Sequence, residues 1–183
     1  MKVKRQRLGR VSQGDVYKDV EFIQDVSLKR GNIEKYKIVF PYVVVLTQDC
    51  DLIRDSEIRY HRIITQTQDK LIISVLVAPL YNVEHVYMGQ HLENLKIKMQ
   101  LINKNRTSGK NLRDNKNPRY HYLEFPSEIP ITPSVIDFKH YFSVNVEYLK
   151  SIKKESFICR ISDLFKEDIS FRFANFLSRV GLP

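Results

Sequence analysis

The residues with the most chemical potential stand together at Thr47-Gln48-Asp49-Cys50-Asp51, directly after the most hydrophobic stretch of the chain. A strand that ends at the rim of a sheet holds the side chains that leave it in fixed positions, and sites are often built there. Two carboxylates flanking a thiol offer three kinds of chemistry: cation binding through Asp49 and Asp51, proton transfer by one carboxylate of raised pKa, or attack by the Cys50 thiol. The third is weakest, because neighbouring negative charge raises a thiol's pKa and suppresses the thiolate. The structural alternative is that the two aspartates cap a short helix running on from Asp51, with Cys50 as a small buried hydrophobe.

Two further clusters, Arg59-Tyr60-His61-Arg62 and Arg119-Tyr120-His121-Tyr122, share a composition. Strand alternation in the second puts Arg119, His121 and Leu123 on one face and Tyr120, Tyr122 and Glu124 on the other. An arginine and a histidine on one face can hold a phosphate and move a proton, while tyrosine rings offer stacking platforms for unpaired bases. The alternative is a half-exposed strand with a polar face. His85, His91 and His140 show no metal-ligand spacing, and the chain has no HExxH, paired CxxC or GxSxG. No metal and no cofactor is expected.

The chain of 183 residues carries a formal net charge of +9 and a sequence pI near 9.5. That balance favours a polyanionic partner. The excess is local: Lys2, Lys4, Arg5, Arg7 and Arg10 stand without an acid, and Lys104, Arg106, Lys110, Arg113, Lys116 and Arg119 stand against Asp114 alone. The rest of the chain is close to neutral. Cationic segments suit nucleic-acid phosphates, where each neutralised phosphate releases a counterion and makes binding salt-dependent. With 43 % hydrophobic and 28 % charged residues, the composition excludes collagen-like and wholly disordered classes. No signal-peptide core follows the basic start, no apolar run is long enough to span a bilayer, and two cysteines suit reduced thiols, so the expectation is a cytoplasmic protein with no membrane partner.

The elements that must position these residues read as follows. Residues 14–28 alternate as one long strand or a hairpin, residues 29–35 turn at Gly31-Asn32, and residues 36–47 form a strand buried on both faces over Val43 to Leu46. Pro41 cannot donate to a ladder and marks an edge or bulge. Residues 71–80 form a second buried run. Helical spacing of Leu92, Leu95, Met99 and Ile102 predicts one helix or two short ones inserted over 82–102. Residues 119–125, 134–142 and 144–149 read as strands or strand plus turn. Ser162 and Asp163 can cap a final helix whose face carries Leu164, Ile169, Phe173, Phe176 and Val180, stopped by Gly181 and Pro183. Several short strands followed by one amphipathic helix suit a small antiparallel barrel or strongly curled sheet with a helix packed on it, mainly β in an α+β chain.

The order of Gly14-Asp15-Val16-Tyr17, Pro41-Tyr42-Val43-Val44-Val45-Leu46-Thr47, Val75-Leu76-Val77-Ala78-Pro79-Leu80 and Ser134-Val135-Ile136-Asp137 resembles the MazF/PemK toxin family. The resemblance implies a small SH3-like antiparallel barrel, with an inserted helical segment and a C-terminal amphipathic helix, that cleaves RNA without metal. It implies an antitoxin or other protein partner, and a homodimer. Phe40 stands where the family usually carries a catalytic arginine, and Tyr81 where a Thr or Ser commonly follows the third strand, so cleavage here would use other groups.

Residues 1–10 therefore read as a basic flexible arm and residues 11–183 as one barrel domain, with an insertion around 82–118 and a C-terminal helix over 163–180. The expected function is action on RNA. In this reading Asp49 or His121 deprotonates a ribose 2′-hydroxyl, Arg59 or Arg119 stabilises the phosphate, and Asp51 completes the acidic rim. Lys104, Arg106, Lys110, Arg113, Lys116, Tyr120 and Tyr122 bind the nucleic acid. The alternative is a non-catalytic barrel that binds nucleic acid or protein, for example in a phage-defence or plasmid locus. A third reading, a Mg²⁺-dependent nuclease, uses Asp49, Asp51 and Glu57.

Overall fold

The apolar runs that periodicity marks as strands gather around one long hairpin. A computed structural model describes residues 1–29, 32–60 and 67–179. Its central hairpin joins β2 (Asp15–Lys29) to β3 (Asn32–Val45), in register from Val16 opposite Val44 to Lys29 opposite Asn32. The register slips once, between Ile23 and Asp25. Pro41 has no N–H to offer, and the rung it would share with Asp19 is missing. Asp19 takes a φ of +54° there.

On one flank β9 (Phe157–Ile161) pairs with β2, and β1 (Val3–Lys4) pairs with β9. On the other, β4 (Ser74–Pro79) pairs with β3, and β8 (Phe142–Asn145) pairs with β4. The result is a six-stranded antiparallel sheet in the order β1-β9-β2-β3-β4-β8. Its two ends are not joined among the described residues, so the closed barrel expected from the sequence is replaced by an open sheet. The cause lies at the edges. β1 is two residues long, and β8 runs straight into α4 (Val146–Ser156), whose start Asn145 caps by accepting from the Glu147 and Tyr148 amides.

Strand alternation gives this sheet two buried faces. Val16, Val44, Ala78, Cys159 and Ile161 face one core, closed by Ile169 and Phe173 of α5 (Asp163–Leu177). Tyr17, Val20, Val43, Val45, Val75 and Val77 face the other, closed by Leu52 of α1 (Asp49–Tyr60) and Leu149 of α4. The far half of the hairpin projects beyond both, leaving Ile23, Val26, Leu28 and Ile33 more than half exposed.

A smaller sheet continues from the end of β4. Its order is β5 (Tyr81–Asn82), β7 (Ser134–Asp137) and β6 (Tyr120–Leu123). Ile136 and Leu123 share the α5 core, whereas Val135 and Tyr120 face a third core built by the insertion. That insertion contains α2 (Val83–Tyr87), a single 3₁₀ turn at Glu93–Leu95 and α3 (Thr107–Arg113). Leu92, Leu95, Met99 and Ile102 pack together as their spacing suggested. They do so without a continuous helix, because Lys96 turns left-handed at a φ of +59° and ends the 3₁₀ turn. Overall the chain is a mixed α+β structure, mainly β, with nine strands in antiparallel sheets and five helices among the described residues. None of these helices is long and apolar enough to cross a membrane.

The basic residues near the N-terminus are tied into the fold. Beyond the β1 ladder, Lys4 pairs with Asp163 at 2.8 Å, Arg5 donates to the Glu128 carbonyl, and Arg7 donates to the Lys154 carbonyl. The C-terminal helix lies where the sequence predicts it, but Leu164 turns outward and is exposed. Its expected stop at Gly181 and Pro183, together with Val180, lies outside the described residues, as does Gly31 of the hairpin turn.

Candidate functional site

Asp49 opens α1, and both of its oxygens are occupied. Arg10 lies 2.8 Å from Oδ1, the Gln13 amide donates to the same oxygen, and Lys166 of α5 lies 2.9 Å from Oδ2. Burial alone would raise its pKa, but the hydrogen bonds from Arg10 and Lys166 outweigh that and hold it below the usual carboxylate value. Asp51 and Glu57 are exposed on α1, and among the described residues neither joins Asp49 in a group able to hold an ion. Arg59 is committed to packing: its Nε binds the buried Asp55 at 2.8 Å, one Nη donates to the Ile72 carbonyl and the other reaches Glu147. Its neighbours His61 and Arg62 lie outside the described residues.

His121 and Arg119 leave β6 in different directions. His121 is 2 % exposed under α5, with its ring 6.2 Å from Phe138 and Nδ1 4.0 Å from Asp168. Burial first, and the nearby Arg172 second, push its pKa down to about 3, so it is a neutral core residue at physiological pH. Arg119 binds both oxygens of Asp137, on the other side of the small sheet. The candidate residues Asp49, Asp51, Arg59 and His121 thus sit at separate positions: Asp49 and Arg59 are held in ion pairs, Asp51 is exposed, and His121 is buried with Nδ1 unpaired.

Arg119 instead belongs to a cluster that tertiary folding assembles. Asp137 ends β7 with no exposure and also accepts the Lys139 amide. His140 follows three residues later, with Nδ1 3.5 Å from Asp137 Oδ2. His91 arrives from the loop after α2. Ligand atoms of His91, Asp137 and His140 all lie within 4.8 Å of one another, the one such group among the described residues. Tyr81 of β5 packs over the pair, its ring 4.9 Å from His91 and 5.7 Å from His140.

The polar atoms of this cluster are poorly satisfied. Both ring nitrogens of His91 and Nδ1 of His140 are buried without a hydrogen-bond partner, although the His85 backbone lies near enough to act weakly on His91. A buried unpaired donor or acceptor costs about 1–3 kcal/mol, so such groups call for an explanation. Burial lowers the pKa of both imidazoles; the Asp137 charge opposes it, and Arg119 reinforces it. Tyr81 is shifted the other way, first by burial and then by Asp137.

His91 and Tyr81 also line the wall of a cleft of about 590 Å³ between the outer part of β3 and the insertion. Phe40, Tyr42, Asn82 and His85 also line it. Segment 103–119 packs on the insertion through Leu112, which shares a core with Tyr87 and Leu92. Lys104 pairs at 3.1 Å with Glu84, the neighbour of His85, and Arg113 acts on both Tyr87 and Tyr122. Lys104, Arg106, Lys110, Arg113 and Lys116 are all exposed, and Arg106 and Lys110 enter no ion pair among the described residues. Tyr122 is half-buried, whereas Tyr120 is buried beneath Arg119, whose guanidinium lies 4.9 Å from its ring.

This segment and the acidic start of α1 are anchored at different places on α5. Lys166 binds Asp49, and Arg172, about 9 Å further along the helix at 1.5 Å per residue, donates to the carbonyls of Asn115, Asn117 and Tyr120. In comparison with known proteins, no family model, curated protein or solved structure matches the chain.

Proposed function

We propose that the protein binds single-stranded RNA, laying the phosphate backbone along segment 103–119 and placing a base in the adjoining cleft. The observation that carries this is the bank of exposed cations Lys104, Arg106, Lys110 and Arg113 on a segment tied through Tyr122 to β6 and through Glu84 to α2, whose His85 lines the cleft. Phosphates supply sequence-independent affinity, and aromatic faces such as Phe40 and Tyr42 add stacking. The resemblance to MazF/PemK toxins and their SH3-like curl belongs to the same proposal. What supports it is that the segments at 14–17, 41–47 and 75–80 fall on β2, β3 and β4, which are neighbours in one antiparallel sheet, while 134–137 forms β7 of the smaller sheet. Action in the cytoplasm also belongs here, supported by Cys50 and Cys159, which stand as separate free thiols.

The test is fluorescence anisotropy of a labelled single-stranded RNA across a salt series. Binding should weaken log-linearly with salt, and Lys110→Ala and Arg113→Ala should each reduce the slope by about 1. Salt-independent binding, or a slope untouched by both variants, overturns the reading.

Metal-independent RNA cleavage is the second reading, favoured by Arg119 standing with the imidazoles of His91 and His140 around Asp137. One neutral imidazole would take the 2′-hydroxyl proton, the protonated other would give a proton to the leaving oxygen, and Arg119 would steady the phosphate. Product formation in chelator that is lost in His91→Ala would establish it; binding without product removes it.

A further inference from the structure

We propose that His91, Asp137 and His140 form a binding site for a divalent transition-metal ion, open towards the cleft. The proposal concerns the protein alone and stands whether or not RNA binds. Three observations meet here. The ligand atoms converge within 4.8 Å from two separate stretches of chain, the loop carrying His91 and the turn from Asp137 to His140. Three imidazole nitrogens are buried with no hydrogen-bond partner. Asp137 supplies a fully buried carboxylate between them.

The spacing suits an ion. Zinc bonds of about 2.0–2.1 Å in tetrahedral geometry set neighbouring ligand atoms roughly 3.3 Å apart. His140 Nδ1 and Asp137 Oδ2, at 3.5 Å, already meet this. His91 has to close by about 1 to 1.5 Å to complete that geometry, a small side-chain rotation. Coordination then uses the lone pairs that are unpaired in its absence, which removes the desolvation cost of leaving them buried.

Arg119 is the obvious objection, since a guanidinium repels a cation. Its Nε hydrogen is shared between Asp137 Oδ1 and Oδ2 while a second hydrogen goes to Oδ2, and the Lys139 amide takes Oδ1. A carboxylate has about four lone-pair positions. Moving the shared hydrogen wholly to Oδ1 leaves one on Oδ2 for the ion, with Arg119 holding the carboxylate in orientation as outer-shell partners do. Two imidazoles and one carboxylate suit zinc, iron, nickel or manganese over calcium, and three protein ligands leave a position for water or substrate on the cleft side. An ion held there removes both imidazoles from proton transfer, so occupancy and imidazole-based RNA cleavage exclude each other.

The experiment is titration of the chelator-stripped full chain with Zn²⁺ and, for spectroscopy, Co²⁺. A Cys50→Ser background removes the exposed thiol as a competing ligand. One equivalent of Zn²⁺ is expected to bind and raise the melting temperature. Co²⁺ should give visible d–d bands without thiolate charge transfer. His91→Gln and His140→Gln should each weaken binding at least tenfold while keeping the far-UV circular dichroism of the parent. Absence of binding in the folded parent overturns the proposal. So does binding that both variants retain, or binding that disappears with Cys50→Ser alone. If one variant fails to fold, the other decides.

Discussion

Asp15 and Asp137 are both fully buried carboxylates bound by an arginine, yet their surroundings differ. Asp15 receives Lys153 at 2.6 Å, Arg160 at 2.7 Å, the Ser12 amide and, more loosely, the Tyr17 hydroxyl. Lys153 also donates to the Arg10 carbonyl. One Nη of Arg160 is the single unpaired polar atom of that group. The cluster sits where Gly14, at a φ of +76°, lets the chain turn into β2, and it ties β2, β9 and α4 together. Asp137 has an arginine that is a quarter exposed, and beside it three imidazole nitrogens buried without a hydrogen bond. A buried charge alone therefore does not mark a site. Unsatisfied polar atoms beside an open cleft do.

The widest separation should come from deleting the two carboxylates. Asp15→Ala leaves two cations, both nearly buried, without a counter-charge and should cost about 3–5 kcal/mol in urea denaturation. Asp137→Ala should cost less, about 1–3 kcal/mol, because Arg119 can turn towards water. Equal losses would break the comparison.

A third buried polar group, His121, belongs to neither cluster and gives the next largest effect. Its folded pKa of about 3 lies below the value near 6.5 of an unfolded chain. The unfolded state therefore takes the proton first as pH falls. Stability should be full above about pH 6.5 and reduced by about 2 kcal/mol at pH 5, with His91 and His140 adding loss of the same sign. His121→Leu should remove that share of the pH dependence. An unchanged profile would show that the group facing Phe138, Asp168 and Arg172 is not held neutral.

Two glycines sharpen the contrast at smaller cost. A Cβ at Gly89, where φ is +70°, would stand 2.4 Å from the Met99 carbonyl oxygen, and one at Gly14 would stand 3.3 Å from the Ile161 carbonyl oxygen. Left-handed backbone alone costs a non-glycine residue about 1–2 kcal/mol. Gly14→Ala should lose about that much in thermal unfolding, and Gly89→Ala more, because its Cβ also meets backbone at 2.4 Å. Only Gly89→Ala, which displaces the loop carrying His91, should also weaken RNA binding in the anisotropy assay.

Most of the framework was legible because its signal is local. The Val43 to Leu46 run is buried, the 71–80 run contains β4, and the final helix covers most of its expected span. α4 was hidden because Val144 and Val146 resemble a strand, although Val146, Leu149 and Lys153 have helical spacing and Asn145 is a cap residue. β9 went unassigned, although Phe157-Ile158-Cys159-Arg160-Ile161 alternates as a strand does. Arg119 stood out in the sequence on the strand face it was expected to share with His121, and its partner Asp137 ends the Ser134–Asp137 segment. His91 and His140 did not stand out, because only the pairing of β5, β6 and β7 and the return of the insertion bring them together.

The central claim is that the cleft beside Asp137, and not the acidic start of α1, is where the protein meets its ligand. The most direct measurement is a ¹H–¹⁵N correlation spectrum recorded while a short single-stranded RNA is titrated into the labelled full chain. The expected perturbations fall on residues 81–95 and 103–119, with residues 12–17 and 48–55 unmoved. Perturbations confined to residues 48–55, or none at RNA concentrations that saturate binding, would contradict it.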